Sequence, residues 1–210
     1  MKEEVRDSLW GPYKSCRNGR IDRTTIPAYF FCGDRGSGKS ANATDFSDTL
    51  VECAPYGSVL KSRLERAKVF HVGLTEEESL IEFELKHPLQ AIGIRMLHRL
   101  LDLWPLDITR ATYVAPTPLE VFRLVAKFEG KDLSKRFTGV LVVDDLDSFI
   151  QSEKRWMDRG RYFRRALTGI GETARDPAGS LIITCCTSLV SDPVEKYYRR
   201  TKGNWLKLPH

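Results

Sequence analysis

Gly33-Asp34-Arg35-Gly36-Ser37-Gly38-Lys39-Ser40 follows directly on the apolar run Ala28-Tyr29-Phe30-Phe31-Cys32. The octet satisfies G-x-x-x-x-G-K-[ST] at every constrained position, and each constrained residue type has a physical task. Glycine lets the backbone turn tightly enough for successive N–H groups to converge on a phosphate. Lys39 brings a mobile positive charge to the outer phosphates, and Ser40 brings a hydroxyl suited to Mg²⁺. A helix predicted from Ser40 to about Ala54 would set its positive end against the same anion. The expected phosphate cradle is therefore Gly33, Asp34, Arg35, Gly36, Ser37, Gly38, Lys39, Ser40 and Ala41. The competing reading is a glycine-rich turn that binds nothing; the apolar strand before it and the helix after it favour the phosphate site.

Working outward, the chain alternates strand-like and helix-like segments. Lys68 to Leu74 reads as a second strand, and Thr75-Glu76-Glu77-Glu78 as a helix start with acids near the positive end. Pro88 breaks or begins a helix, and Leu89 to Leu103 carries Ile92, Met96, Leu97, Leu100 and Leu101 at helical spacing. Pro116 and Pro118 mark a loop before helix-like Leu119 to Phe128. Val140-Leu141-Val142-Val143 then runs into Asp144-Asp145, the pattern of a buried parallel strand with carboxylates at its C-terminal end. Gln151 to about Arg175 is a basic helical stretch, with breaks predicted at Gly160 or at Gly169–Gly171. Ser180 to Cys186 is another buried strand, ending at Thr187-Ser188. Pro193 to Arg200 predicts a short helix and Trp205 to Leu208 a last strand. Residues 1–27, with the turn signals Gly11-Pro12 and Asn18-Gly19, predict a loop-rich entry segment ahead of one α/β domain over 28–210. Such alternation predicts a mostly parallel sheet, whose ligands sit at the C-terminal ends of the strands. Gly33–Ser40, Asp144/Asp145 and Thr187/Ser188 come from three separate segments and all fall on that edge.

Each polar cluster has a chemical reading and a plainer one. Asp144 would reach the Mg²⁺ shell through water, opposite Ser40, and Asp145 would position or deprotonate the attacking water. The plainer reading of the pair is a helix cap with turn acids, and Asp147 is read as such a cap. A hydroxyl of Thr187 or Ser188 would meet the outer phosphate or the water; the alternative is a turn hydroxyl bonded to its own backbone. The candidate catalytic set is thus Lys39, Asp145, Thr187 and Ser188, and the candidate metal ligands are Ser40 and Asp144. Cys185 and Cys186 have no histidine partner and are not read as nucleophiles. His71, His87, His98 and His210 are too scattered to suggest a metal site.

Composition narrows the setting. The five cysteines are odd in number and form no C-x-x-C pair, and Cys32, Cys185 and Cys186 lie in apolar runs. They predict reduced core residues of an intracellular protein, cytoplasmic or nuclear. No stretch approaches the length of a membrane span, and the N-terminus lacks a secretory apolar region. A formal charge of +5 permits an acidic partner such as nucleic acid without requiring one. The densest basic cluster, Arg155, Arg159, Arg161, Arg164 and Arg165, reads as a solvated helix face, with phosphate or nucleic acid as the alternative.

Taken in order, Gly33–Ser40, Val140–Asp145 and Leu181–Ser188 resemble the Walker A, Walker B and polar strand-end elements of a P-loop NTPase, in the branch that includes AAA+ and STAND ATPases. The resemblance implies a three-layer α/β/α sandwich with a mostly parallel sheet of about five strands. The strand near residue 183 would lie between the P-loop strand and the Walker B strand. It also implies ATP, more often than GTP, with Mg²⁺, and either hydrolysis or a nucleotide-driven switch. The chain departs from the pattern at several points. Asp144-Asp145 replaces the Asp-Glu of many AAA+ members and looks more like STAND proteins. The long gap from Lys39 to Asp144 implies an insertion around 76–118. No helical lid is expected after the last strand, which leaves the second sensor arginine without a counterpart. Arg199, Arg200 or a neighbouring subunit is the expected source of an arginine finger. The stretch Thr138–Phe149 and the overall texture also resemble, more weakly, crinkler-type and retrotransposon-hot-spot NTPase domains. Two other functions stay open: a nucleotide or small-molecule kinase using Arg159–Arg165 as a lid, and a nucleotide-loaded binding module with little turnover. A protein partner, self-association and nucleic acid are all compatible with either.

Overall fold

The computed structural model describes residues 2–18, 27–74, 80, 82–102, 114–130, 137–151, 160–175, 180–189, 191–201 and 205–209. Its centre is a five-stranded sheet of β1 (Ala28–Cys32), β2 (Lys68–Gly73), β3 (Thr138–Asp144), β4 (Leu181–Ser188) and β5 (Trp205–Leu208). The spatial order is β2-β3-β4-β1-β5, and every pairing is parallel. β4 therefore lies between β1 and β3, as the resemblance implied. Inner parallel strands are covered on both faces, so their sequences run apolar without alternation, and every residue of β1 and β4 is buried. Edge strand β2 instead alternates buried and half-buried positions along most of its length.

Alternate positions along each strand face different helix layers. Tyr29, Phe31, Val140, Val142, Ile183 and Cys185 pack with residues of α1 (Lys2–Arg17), α2 (Lys39–Thr44), α3 (Phe46–Cys53) and α4 (Val59–Leu64). Phe30, Cys32, Leu141, Val143, Ile182 and Cys186 pack with the opposite layer. That layer contains α5 (Glu82–Lys86), α6 (Pro88–Leu101), α7 (Pro118–Phe128), α8 (Ser148–Gln151), α9 (Arg161–Thr173) and α10 (Asp192–Thr201). Two apolar layers on one sheet make the predicted α/β/α sandwich. Burying side chains such as Phe30 and Phe31 completely contributes about 1.5–3 kcal/mol each, which fixes the strand ends that carry the polar residues. Thr117 and Glu120 start α7 with a reciprocal capping box, and Pro118 occupies the first turn, where its missing N–H is harmless.

Several expectations are corrected. The entry segment is helical over Lys2–Arg17, not loop-rich, because Val5, Leu9 and Tyr13 repeat every four residues and are buried against α3. That packing outweighs the turn signal at Gly11-Pro12. Ser8 and the buried Tyr29 share a hydrogen bond at 3.0 Å, tying α1 to β1. The single helix predicted from Ser40 to Ala54 is two, meeting at Asp45. Of the two breaks weighed for the basic stretch, Gly160 is used, as the left-handed residue before α9. Gly169 and Gly171 stay helical; a Cβ on Gly169 would come within 2.3 Å of Leu89, so this glycine permits close helix packing instead of a break. The helix start predicted at Thr75–Glu78, the end at Leu103 and residues 152–159 lie outside the described residues. Among the described residues, no helix is long and apolar enough to cross a membrane.

Candidate nucleotide site

The loop between β1 and α2 has the conformation its glycines suggest. Gly36 and Gly38 have φ of 77° and 82°, a region that side chains with a Cβ enter only with strain. Asp34, Arg35 and Gly36 are exposed at the rim, whereas Lys39 is only 7% exposed. Its Nζ donates to the carbonyls of Gly33 at 2.7 Å and Asp34 at 2.6 Å, so the charge is folded back over the loop. The Oγ of Ser37 is buried without a hydrogen-bond partner. An orphaned hydroxyl inside a glycine-rich loop is the kind of group a bound oxyanion would satisfy. Ser40 and Ala41 lie exposed at the start of α2.

Across the cradle stand the ends of β3 and β4. Ser40 Oγ donates to Asp144 Oδ1 at 3.2 Å, joining residues 104 positions apart. A hydroxyl and a carboxylate are hard oxygen donors of the sort Mg²⁺ takes when phosphates and waters complete its shell. Among the described residues no group of three or more His, Cys, Asp or Glu side chains is placed to hold a metal. A Mg²⁺ ion held by these two donors would need further oxygens from water or a bound phosphate. Thr187 Oγ1 also donates to Asp144 Oδ1 and accepts the N–H of Asp145 at 2.8 Å. That contact helps hold Asp145 at φ 62°, unusual for a residue with a side chain, although Asp is among the types that enter this region most readily.

A second set of contacts was not anticipated from the residues. Asp147 is 3% exposed; it accepts from Ser188 Oγ at 2.8 Å through one oxygen and from the Leu189 N–H through the other. Burial raises the pKa of its carboxyl above the ordinary aspartate value, opposed by these donated hydrogen bonds. The Ser188 hydroxyl is thus directed to Asp147, while Thr187 faces Asp144. Farther along the edge, Arg95 on α6 makes a buried, two-pronged ion pair with Glu84 on α5 at 2.9 and 3.2 Å. The same guanidinium donates to the Gly73 carbonyl at 3.1 Å, and Gly73 is the register partner of Asp144. Nothing in the spacing of Glu84 and Arg95 announces this pair; only the fold brings them together.

Burial pushes the thiols of Cys185 and Cys186 far up, and that of Cys32 up to about 11, so they are inert core residues. Arg161, Arg164 and Arg165 are exposed on α9, while Arg155 and Arg159 lie outside the described residues. Arg199 pairs with Glu195 at 3.6 Å on the surface, and the side chain of Arg200 is outside the described set. Beside Ser40 and Asp144 a cleft of about 320 Å³ opens along β2, bordered by Thr44, His71, Gly73 and Arg99.

No known protein family matches the chain, and no curated protein matches it. Among solved structures it is similar to the ORC2 protein of Aeropyrum pernix, determined as ADPNP-ADP complexes. The TM-score is 0.50 at 12% identity, covering 99% of this chain and 46% of that one. Drosophila ORC bound to DNA gives a TM-score of 0.38 at 14% identity, over 99% of this chain and 42% of that one. The chain spans less than half the length of these proteins. At such identity the first likeness shows the fold alone, and the second adds nothing to it.

Proposed function

We propose that the chain is a Mg²⁺-dependent nucleoside triphosphatase, acting on ATP or GTP, whose turnover is suited to driving a conformational switch. One observation carries the reading: Ser40 and Asp144, remote in sequence, meet at 3.2 Å beside the cradle that holds Lys39. The backbone N–H groups of Gly33–Ala41 would bind the phosphates, and the Ser37 hydroxyl would gain the partner it lacks. Lys39 would exchange its two carbonyl contacts for β- and γ-phosphate oxygens. Ser40 and Asp144 would hold Mg²⁺, which when bound neutralises the charge on those oxygens. Thr187 keeps Asp144 oriented through its hydroxyl. Asp145 would accept a proton from the attacking water as the water oxygen bonds to the γ-phosphorus and the bond to the β–γ bridging oxygen breaks. Positioning and charge neutralisation are what such a reaction asks of a protein.

Phosphate release from purified protein with ATP and with GTP, each with and without DNA, tests this directly. Wild-type release that disappears in Lys39→Ala and falls steeply in Asp145→Asn supports the assignment; equal release from all three rejects it. The DNA arms address the exposed arginines of α9, since backbone contacts would weaken steeply with salt.

A second reading, phosphoryl transfer to a small acceptor, is favoured by the cleft that adjoins Ser40 and Asp144. Product formation only when an acceptor is supplied would select it. Tight nucleotide binding with neither release nor transfer would select a nucleotide-loaded binding module.

A further inference from the structure

The β4 terminus is a junction of hydrogen bonds. The Thr187 carbonyl accepts from the Leu146 N–H at 3.2 Å, and the Ser188 carbonyl accepts from the Gly33 N–H at 3.2 Å. Gly33 is the first residue of the cradle. The same two residues send their hydroxyls to different acids: Thr187 to Asp144, Ser188 to Asp147. Residues 187–189 thus connect the metal-side carboxylate, the corner after β3 and the entrance of the phosphate loop.

Asp147 holds this junction from beneath. Its two oxygens take adjacent donors, the Ser188 hydroxyl and the Leu189 N–H, and the carboxylate is 3% exposed. Among the described residues no cation pairs with it. A buried carboxylate without a cation is an expensive way to stabilise a corner, because desolvation opposes its charge. A neutral amide of the same shape could accept the Leu189 N–H and exchange a bond with Ser188 at much lower desolvation cost. What a carboxylate adds is two acceptor oxygens at once, fixing the direction of both donors.

We infer that Asp147 is a positioning residue for nucleotide turnover, acting through Ser188 and Leu189 to keep the β4 end in register with both Gly33 and Asp144. This rests on the triphosphatase reading above. It gives Ser188 a role distinct from contact with the outer phosphate: its hydroxyl is committed to the clamp. Ser188 and Asp147 then form one unit, and removing either member should have the effect of removing both.

The test compares wild type, Asp147→Asn, Ser188→Ala, the double variant and Lys39→Ala. Three quantities are measured: nucleotide affinity by calorimetry, phosphate release, and amide hydrogen exchange over 30–40 and 185–189. Each single clamp variant should lower kcat about 10–100-fold while leaving nucleotide Kd within about threefold of wild type. The double variant should be no worse than Asp147→Asn. Exchange at Gly33 should accelerate in Asp147→Asn with the urea midpoint of the whole domain nearly unmoved. Wild-type turnover in Asp147→Asn would overturn the proposal. So would additive losses, or a loss of affinity parallel to that of Lys39→Ala. If the wild type releases no phosphate, the triphosphatase reading fails on its own. Exchange then decides the clamp: acceleration at Gly33 in Asp147→Asn upholds it and unchanged exchange overturns it.

Discussion

The two sides of the candidate site are built by different means. The cradle is mostly backbone: half-exposed, shaped by left-handed glycines, with one lysine parked on its own carbonyls. The facing corner is mostly side chain: Asp147, Thr187 and Ser188 are 3%, 1% and 0% exposed, with Thr187 donating to Asp144 and Ser188 to Asp147. In a backbone cradle the N–H groups come from every residue type but proline, so identity matters chiefly at Gly36, Gly38, Lys39 and Ser40. In a side-chain corner each contact depends on one particular atom. The side proposed to grip is therefore open, whereas the facing corner rests on buried side chains behind the half-buried Asp144 and Asp145.

The sharpest test of this contrast is Lys39→Ala, a cradle position where the side chain itself would grip the phosphates. Losing two charge-assisted contacts to phosphate should weaken nucleotide binding about 100-fold, measured by calorimetry. On the other side, Asp144→Asn should lower turnover by about 10²–10³-fold while metal-free nucleotide affinity stays close to wild type. A parallel loss of affinity would mean that the corner also grips. Thr187→Val should destabilise the fold by about 1–3 kcal/mol in urea denaturation, because the Asp145 N–H loses its acceptor. Gly38→Ala should destabilise by about 1–2 kcal/mol through its positive φ, with Asn42 the nearest atom at 3.8 Å and no steric clash to add. The smallest effect is chemical: with its thiol pKa raised to about 11, Cys32 should resist alkylation at pH 7 until urea unfolds the chain. Cys185 and Cys186 should behave likewise, which mass spectrometry reads residue by residue.

Legibility in the sequence followed the same division. The cradle could be read because its requirement, glycines around a lysine, is local. β3 and β4 could be read because full burial makes their sequences apolar without interruption. The insertion of β4 between β1 and β3 came from the family resemblance, since no residue of Leu181–Ser188 states its neighbours. Sequence places Asp147 near a helix start, where it reads as a cap; its partners Ser188 and Leu189 are more than 40 positions away. Glu84 and Arg95 are only 11 positions apart, but they sit on two different helices and nothing in their spacing announces the pair. Helix α1 is hidden from the sequence because Gly11-Pro12 and Asn18-Gly19 are strong local signals, while the Val5–Leu9–Tyr13 stripe gains its energy from distant parts of the chain such as α3 and β1. The extent of the acidic segment after β2 lies outside the described residues.

Helix α1 carries none of the proposed chemistry, yet it roofs one layer of the sheet. A chain trimmed back to Pro27 would retain the cradle, both aspartates and the clamp. It would also uncover a furrow over Phe46 and Leu50 and leave the Tyr29 phenol inside it bereft of Ser8. Such a shortened protein should fail first by clumping in the tube, well before any defect in phosphate release could be measured.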